Sequence, residues 1–282
     1  MSLTGLLARL PPTSLLGGVV RRLFRLVPRR PVEPVRNGAL RGYKWIVASG
    51  VDGYWLGTYE PEMGDAVARA VAANGVFFDV GAHAGYYSLL ASRLVGANGR
   101  VVAFEPDPRS IGYLKQHLQL NDASNVSVVE AAVADVAGAA KFAPEAGGSG
   151  GALSPMGTAM VTTVTIDALV DIGALPAPNY LKINAEGAEF RVICGARKVL
   201  RTIRPTVFLA THNPAVERQC LSALESLRYA VRPGRSAVRS PRRSSSTASS
   251  SGTRPSPGCA PPWLSQTCAP PSRGTADARS TR

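Results

Sequence analysis

The sequence is poor in acidic residues and has no long apolar run. Its 282 residues include 19 aspartates and glutamates against 32 lysines and arginines, which gives a formal net charge of +13. A bilayer-spanning helix needs about 20 consecutive apolar residues, and no stretch of the sequence meets that requirement. The first residues also lack a compact apolar segment followed by a small-residue cleavage site. We therefore expect no membrane span, no secretory signal and a cytoplasmic location.

Cysteine is scarce, and its spacing argues against a metal site. Four cysteines occur, at positions 194, 220, 259 and 268, with no Cys-x-x-Cys pair and no paired histidines beside them. Zinc sites of the usual pattern need such closely spaced ligands, so we expect no bound metal. Cys194 and Cys220 fall within helical patterns, which favours core or half-buried thiols in a reducing compartment.

The excess positive charge lies at the two ends of the chain. Residues 1–30 hold six arginines and no acid, and residues 231–282 hold nine arginines and Asp277. The ends therefore carry +6 and +8 of the total of +13, which leaves −1 for residues 31–230. A nucleic-acid partner usually requires a basic face on the folded domain, so we expect no such partner.

Composition divides the chain into three parts. Residues 1–37 are a basic N-terminal extension and linker, in which residues 15–27 repeat apolar side chains at helical spacing with arginines mainly on the other face. This predicts an amphipathic helix, either as a peripheral membrane contact or on the protein's own surface. Residues 38–233 form the folded domain. Residues 234–282 are rich in Ser, Pro and Arg and nearly free of Leu, Ile and Val, which predicts a disordered tail.

The folded domain alternates strand-like and helix-like segments. This order indicates an α/β fold with a mostly parallel, twisted sheet and helices on both faces. Segments 139–142 and 161–166 read as a hairpin whose tip contains the glycine-rich segment 147–151. The predicted strands are 76–80, 101–105, 126–130, 180–183 and 206–210, and the predicted helices are 61–73, 85–95, 108–120, 188–200 and 215–227.

Residues 76–87, Val-Phe-Phe-Asp-Val-Gly-Ala-His-Ala-Gly-Tyr-Tyr, point to a cofactor loop. An apolar strand enters a turn between Gly81 and Gly85 and continues into a helix, whose N-terminus would face a ligand. Asp79 lies inside the strand, where a carboxylate would repel the pyrophosphate of a dinucleotide. It suits a cofactor with an ammonium and a sulfonium, such as S-adenosylmethionine. The alternative is that Asp79 merely caps the helix.

A second acidic residue follows at the end of the next predicted strand. Glu105 comes 24 residues after Gly81, which is the spacing of an acid that accepts both ribose hydroxyls of a nucleotide cofactor.

These blocks resemble the FkbM family of S-adenosylmethionine-dependent methyltransferases. The resemblance rests on residues 78–88, 103–106 and 181–189 in that order, and it extends from about Gly38 to Tyr229. It implies a Rossmann-like class I methyltransferase fold with S-adenosylmethionine as cofactor. Family members end with an antiparallel strand that closes the sheet. No segment after Tyr229 resembles one, so we expect the terminal strand to be missing.

The resemblance also implies which side chains meet the cofactor. The Gly81–Gly85 turn would hold the methionine end, Asp79 the amino group and Glu105 the ribose, with the adenine against the end of the third strand. The family usually has Lys-Ile-Asp-x-Glu-Gly where this chain has Asn184, so we expect weakened cofactor binding. The predicted cofactor residues are Asp79, Gly81, His83, Gly85, Tyr86, Glu105, Glu130, Ala131 and Asn184.

The predicted catalytic residues are His212 and Glu186. An alcohol acceptor must lose its proton as the new bond forms, and His212 follows strand 206–210 at the edge where the cofactor would lie. Glu186 follows strand 180–183 and is the second candidate. His117 falls in mid-helix and should be solvated. Segment 147–151 should form a mobile rim over the acceptor pocket.

Three functions remain open at this point. The first is an O-methyltransferase acting on a hydroxyl of a sugar, a glycolipid or a secondary metabolite, with that small or lipid-linked molecule as partner. The second is a protein of the same fold that binds S-adenosylmethionine without turnover, as Asn184 and the missing strand suggest. The third is a dinucleotide oxidoreductase, disfavoured by Asp79. The sequence gives no oligomeric state.

Overall fold

The structure is a computed structural model, and it describes residues 31–144, 150–231 and 238–239. The predicted helix at 15–27 and most of the predicted tail lie outside these residues. The strands are β1 (Val32–Pro34), β2 (Lys44–Ile46), β3 (Val76–Val80), β4 (Arg100–Phe104), β5 (Val126–Val129), β6 (Ala132–Val133), β7 (Gly138–Pro144), β8 (Gly151–Leu153), β9 (Ala159–Val164), β10 (Tyr180–Ile183), β11 (Thr206–Leu209), β12 (Ala230–Val231) and β13 (Val238–Arg239). The helices are α1 (Gly53–Leu56), α2 (Pro61–Ala70), α3 (Tyr86–Val95), α4 (Pro108–Leu120), α5 (Ile166–Asp171), α6 (Glu189–Gly195), α7 (Arg197–Thr202) and α8 (Pro214–Ser226).

A seven-stranded sheet in the order β12-β13-β11-β10-β3-β4-β5 forms the centre of the fold. The strands β11, β10, β3, β4 and β5 are parallel. Apart from Asp79 and Lys182, their buried residues are apolar on both faces because helices cover both sides. Phe77 packs in the layer that contains α3, and its neighbour Phe78 packs in the layer that contains α6 and α8. The predicted α/β fold with a mostly parallel sheet is confirmed.

The expectation of a missing terminal strand needs correction. Val238 of β13 pairs antiparallel with Val207 of β11, and β12 pairs antiparallel with β13 on its other side. Two residues of the predicted tail therefore occupy the strand position that the sequence pattern left empty. Local pattern contains little sign of this strand because a two-residue strand has no periodicity to detect.

A smaller sheet in the order β6-β9-β7-β8 follows β5. Its centre is the antiparallel pair of β7 and β9, as the predicted hairpin requires, and β8 and β6 lie at its edges. Most of the predicted hairpin tip, residues 145–149, lies outside the described residues, whereas Gly150 and Gly151 lie within them.

The N-terminal segment packs on the domain rather than leading loosely to it. Residues assigned to the linker form β1, which pairs antiparallel with β2, and Val35 is buried in the core. His117 of α4 is fully buried against this segment, which corrects its predicted exposure. Its ring stacks on Trp45 at 3.8 Å between centroids, and its Nε2 accepts a hydrogen bond from Ile46 N at 3.0 Å.

The helix predicted at 188–200 is two helices, α6 and α7, which meet at Ala196. Gly195 passes so close to the loop after β6 that a Cβ there would lie 2.0 Å from Ala134 O. Cys220 of α8 is buried and Cys194 of α6 is exposed, and both thiols are free. Within the described part of the chain, no helix is long and apolar enough to cross a membrane.

Candidate functional site

A pocket of about 430 Å³ opens at the carboxyl ends of the central strands. In an α/β sheet of this kind, ligands bind in the crevice at that edge. Successive strand ends supply its lining in the order Ala131 after β5, Glu105 after β4, Gly81 after β3, Asn184 after β10 and His212 after β11. Sequence reasoning had named all five.

The turn after β3 depends on glycine at two positions. Gly81 has φ 73° and Gly85 has φ 95°, backbone conformations that side-chain-bearing residues rarely adopt. A Cβ on Gly81 would lie 1.8 Å from Asn184 O, and one on Gly85 would lie 2.5 Å from a Leu114 methyl. His83, between them, has φ 49°, and its Nδ1 lies 3.2 Å from Tyr54 Oη. The glycines thus let the turn pack tightly against the loop after β10.

Asp79 lies behind the pocket wall and does not line it. Its side chain is 0% exposed, its Oδ1 lies 3.0 Å from Lys182 Nζ, and its Oδ2 accepts a hydrogen bond from Ser88 Oγ at 2.7 Å. In this structure the Asp79 carboxylate therefore contacts Lys182 and Ser88 and does not face the pocket, where the sequence predicted that it would hold the amino group of the cofactor. Pairing with Lys182 also removes the argument that Asp79 would repel a pyrophosphate.

Lys182 is a site residue that sequence reasoning missed. Its ammonium binds Asp79, donates a hydrogen bond to Gly81 O at 3.0 Å, and lies 5.2 Å from the centroid of the Tyr87 ring. One ammonium thus fixes the backbone of the turn to the strand beside it. The signal was present, because a lysine inside a buried strand next to β3 implies a buried partner.

Glu105 lies on the pocket wall with both carboxylate oxygens engaged by backbone groups. His83 N donates to Oε2 at 2.7 Å, and Asp107 N donates to Oε1 at 3.0 Å. Burial raises the pKa of Glu105 to about 7, although these two hydrogen bonds favour the charged form. Each oxygen keeps a further lone pair, so the carboxylate can still accept ligand hydroxyls.

The two residues predicted at the adenine end have different positions. Ala131 is buried and lines the pocket. The Glu130 side chain points away from it and pairs with Lys115 of α4 at 2.5 Å. Adjacent residues at a strand end face opposite ways, so only one of the two can reach the pocket.

Asn184 and Tyr86, both predicted to meet the cofactor, line the pocket. Asn184 N donates to Val80 O at 3.1 Å, which ties the loop after β10 to β3. The Asn184 Oδ1 atom is buried and has no hydrogen-bond partner among the described residues. Such an unsatisfied acceptor is unfavourable by about 1–3 kcal/mol, and a ligand donor or an ordered water would satisfy it.

His212 and Glu186, the predicted catalytic pair, lie together at one end of the pocket. His212 Nε2 is 3.7 Å from Glu186 Oε1, and His212 Nδ1 is 3.6 Å from Glu189 Oε1. Contact with Glu189 raises the pKa of His212, and the charge of Glu186 raises it further against the opposing effect of burial. The imidazole is about half exposed and therefore accessible from the pocket.

Glu189 is the second residue that sequence reasoning missed. It is fully buried at the start of α6, and its Oε1 accepts hydrogen bonds from Ala185 N at 3.2 Å and Gly187 N at 3.0 Å. Burial alone would raise the pKa of Glu189, but contact with His212 and these N–H groups lower it overall. The residue therefore holds a negative charge beneath His212 and shapes the loop that carries Glu186.

A group of tyrosines from the segment before β3 and from α3 completes the wall. Tyr54, Tyr59, Tyr86 and Tyr87 all line the pocket, and Tyr87 Oη donates a hydrogen bond to Glu60 Oε2 at 2.8 Å. Burial raises the pKa of Tyr87, and the Glu60 charge adds to that effect. The tyrosines thus remain neutral and present ring faces and hydroxyls. On the opposite side, the small sheet contributes Phe142, Gly150, Gly151 and Leu153.

No group of three or more His, Cys, Asp or Glu side chains within the described ranges could hold a metal ion. The pocket instead combines a glycine turn and a buried carboxylate with a histidine at the far strand. The carboxyl edge of a parallel sheet is the place where α/β proteins of this architecture bind nucleotide-class ligands.

Comparison with known proteins gives the family. The FkbM methyltransferase domain matches residues 79–233, more than half of the chain. The chain therefore belongs to the FkbM methyltransferase family, and the resemblance seen in the sequence is confirmed.

Three proteins found by these comparisons are similar to the chain at low sequence identity. The hexuronic acid methyltransferase AglP of Haloferax volcanii is 27% identical over 132 residues, which is 46% of this chain and 53% of that protein. The chain thus spans about half the length of this curated relative. A methyltransferase FkbM from Methylobacillus flagellatus is 16% identical with a TM-score of 0.44, over 78% of this chain and 59% of the other. An S-adenosylmethionine-dependent O-methyltransferase from Thermotoga maritima is 13% identical with a TM-score of 0.43, over 80% and 83%.

Proposed function

We propose that the protein is an S-adenosylmethionine-dependent O-methyltransferase acting on a hydroxyl of a sugar, a glycolipid or another small metabolite. One observation carries the proposal: a single pocket holds the glycine turn and Glu105 at one end and His212 at the other. Membership of the FkbM methyltransferase family supports the methyl transfer. The sugar-type acceptor is supported by the hexuronic acid methyltransferase among its relatives.

The described residues fit the proposed cofactor. Glu105 would accept the ribose hydroxyls, the Gly81–Gly85 turn would hold the methionine end, and the unsatisfied Asn184 Oδ1 would accept its ammonium. Ala131 and Val133 provide apolar surface for the adenine. The bound cofactor supplies an electrophilic methyl group on a sulfonium. In this arrangement Asp79 and Lys182 act indirectly, because they fix the turn from behind.

His212 is the proposed general base. Methyl transfer is an in-line displacement, so the protein's main task is to align the acceptor oxygen and to receive its proton. The neutral imidazole would take the hydroxyl proton, and the resulting imidazolium would lie between Glu186 and Glu189. Two flanking carboxylates stabilise that charge, which makes His212 a stronger base than an isolated histidine.

A second candidate function is cofactor binding without turnover. Asn184 is the observation that favours it, since the resemblance calls for a carboxylate at this position. An amide still offers one acceptor oxygen, so binding would be weakened rather than lost. Replacing Asn184 by Asp should then tighten S-adenosylmethionine binding, as measured by isothermal titration.

Thermal shift and turnover measurements test the proposal. S-adenosylhomocysteine should raise the melting temperature, and NAD should not. S-adenosylhomocysteine release should require a glycan or lipid extract and should fall at least about a hundredfold in H212N, with unchanged S-adenosylhomocysteine affinity. Stabilisation by NAD would favour an oxidoreductase, and stabilisation without release would favour the binding-only function.

The pH dependence of turnover gives a further check on His212. The neutral imidazole is the active form, so the rate should rise with pH through a pKa above the ordinary 6.5. E189Q should move that rise to lower pH, because it removes the carboxylate whose contact with His212 raises the pKa of the imidazole most. E217Q, an exposed substitution on α8 outside the pocket lining, is the matched control and should leave the profile unchanged.

A further inference from the structure

The acceptor end of the pocket is rich in carboxylates. Glu186 lies beside His212. Glu60 also lines the pocket, where its Oε2 accepts a hydrogen bond from Tyr87 Oη. Glu189 adds a buried negative charge behind them. Glu60, Glu186 and His212 all line the same pocket, and the negative charges of Glu186 and Glu60 raise the pKa of His212.

The cationic groups in this pocket are already committed. The lining residues that the structure describes include one lysine, Lys182, two histidines, His83 and His212, and no arginine. Lys182 is nearly fully buried and is bound to Asp79 and Gly81 O. His212 lies between Glu186 and Glu189. His83 Nδ1 lies 3.2 Å from Tyr54 Oη, and its Nε2 is buried. None of the three side chains can offer a substrate carboxylate the paired donors that proteins use to bind such groups.

The remaining wall suits an uncharged or cationic ring. Tyr54, Tyr59 and Tyr86 contribute aromatic surface, and Phe142 and Leu153 contribute apolar surface opposite. Aromatic faces beside carboxylates attract ammonium groups and pack on the apolar faces of neutral rings.

We propose that the acceptor carries no carboxylate and is a neutral or ammonium-bearing hydroxyl compound. This inference rests on the proposed function, and it sets the acceptor apart from the hexuronic acid named for the relative AglP. An acceptor carboxylate would meet Glu60 and Glu186 without an available counter-charge, so its binding should be disfavoured by at least tenfold as an order of magnitude.

Three probes of similar shape test the charge preference without a known acceptor. The full-length protein is saturated with S-adenosylhomocysteine at pH 7 and titrated with glucose, glucosamine and glucuronate, with dissociation constants from ligand-observed NMR. Glucose and glucosamine should bind at least about tenfold more tightly than glucuronate. Equal or tighter binding of glucuronate overturns the inference, and so does the absence of binding by all three probes.

A pair of variants ties the preference to Glu60. The E60Q substitution should reduce the ratio of the glucuronate dissociation constant to the glucose dissociation constant by about threefold or more. E62Q, an exposed substitution in the first turn of α2, should leave it unchanged. An unchanged ratio of dissociation constants in E60Q would show that Glu60 does not set the charge preference. Binding of S-adenosylhomocysteine is measured first. A protein that does not bind it contradicts the proposed function, whereas a preference for glucuronate contradicts only this inference.

Discussion

At the scale of single residues, the Asp79–Lys182 pair organises the site from behind. Both side chains are almost completely buried, and the ammonium reaches the carboxylate and Gly81 O together. A buried ion pair contributes little net stability, but removal of one partner leaves an uncompensated charge in the interior. The pair therefore acts as a positioning device for the turn.

D79A should be strongly destabilising. It leaves the Lys182 ammonium buried without its counter-charge, which should lower the unfolding free energy by about 3–5 kcal/mol, measured by urea denaturation. The matched control is D65A, which breaks the exposed Asp65–Arg69 pair and should change stability by less than about 1 kcal/mol. A D79A protein of normal stability that fails to bind S-adenosylhomocysteine would instead restore a direct cofactor role for Asp79.

Glu105 should make cofactor binding depend on pH near neutrality. Burial raises its pKa to about 7, and ribose hydroxyls donate to the carboxylate form. Binding should therefore be strongest above pH 7 and weaken progressively as the pH falls below 7. Isothermal titration with S-adenosylhomocysteine between pH 5.5 and 8.5 measures the affinity at each pH. The E105Q variant should bind weakly over the whole range. A flat profile in the original protein would show that Glu105 does not contact the ribose.

At the scale of elements, His117 joins the N-terminal segment to the central layer. Ile46 N of β2 donates to Nε2, so Nδ1 carries the proton and donates to Ala84 O at 2.7 Å. Burial lowers the pKa of His117 to about 4. The neutral imidazole is thus required to hold β2, α4 and the cofactor turn together.

The neutral state of His117 should make folding sensitive to acid. Its folded pKa lies below the unfolded value of about 6.5, so the unfolded chain binds more protons between those values. The contribution of His117 to the free energy of unfolding should be at its maximum above pH 6.5. It should decrease by up to about 3 kcal/mol as the pH falls towards 4. Urea denaturation of H117Q should lack this component, whereas H212Q should retain it. An identical pH dependence in H117Q and the original protein would contradict the assignment.

At the scale of the whole molecule, β13 completes the central sheet although it is only two residues long. It pairs with β11 at a single register position and with β12 at two. Without it, β11 would present unpaired backbone groups at an edge, a configuration prone to aggregation or pairing with another chain. The prediction of a disordered tail without a closing strand therefore does not hold for residues 238–239.

Two truncations measure the contribution of β13. A chain ending at residue 240 keeps β13 and should match the full-length protein in melting temperature. A chain ending at residue 233 loses it and should melt several degrees lower, as expected for a change of about 1 kcal/mol in a domain of this size. Equal melting temperatures for all three chains would show that β13 does not stabilise the sheet.

Much of the fold and the cofactor side could be predicted from local pattern. The strands at 76–80 and 180–183 and the helix at 108–120 have the predicted bounds, because continuous apolar runs and a proline at the first turn are local signals. Gly81, Glu105 and His212 line one pocket, because the carboxyl ends of parallel strands meet at one edge of the sheet.

What the sequence by itself determined is therefore the order of the elements and the residues at the strand ends. Only the tertiary structure decided which of those side chains face the pocket: Asp79 turns to Lys182, Glu130 turns to Lys115, and His117 is buried against Trp45. These outcomes depend on partners far apart in the chain. The local sequence pattern indicates whether a residue favours a helix, a strand or a turn. Burial and charge pairing depend instead on the residues that the fold places next to it.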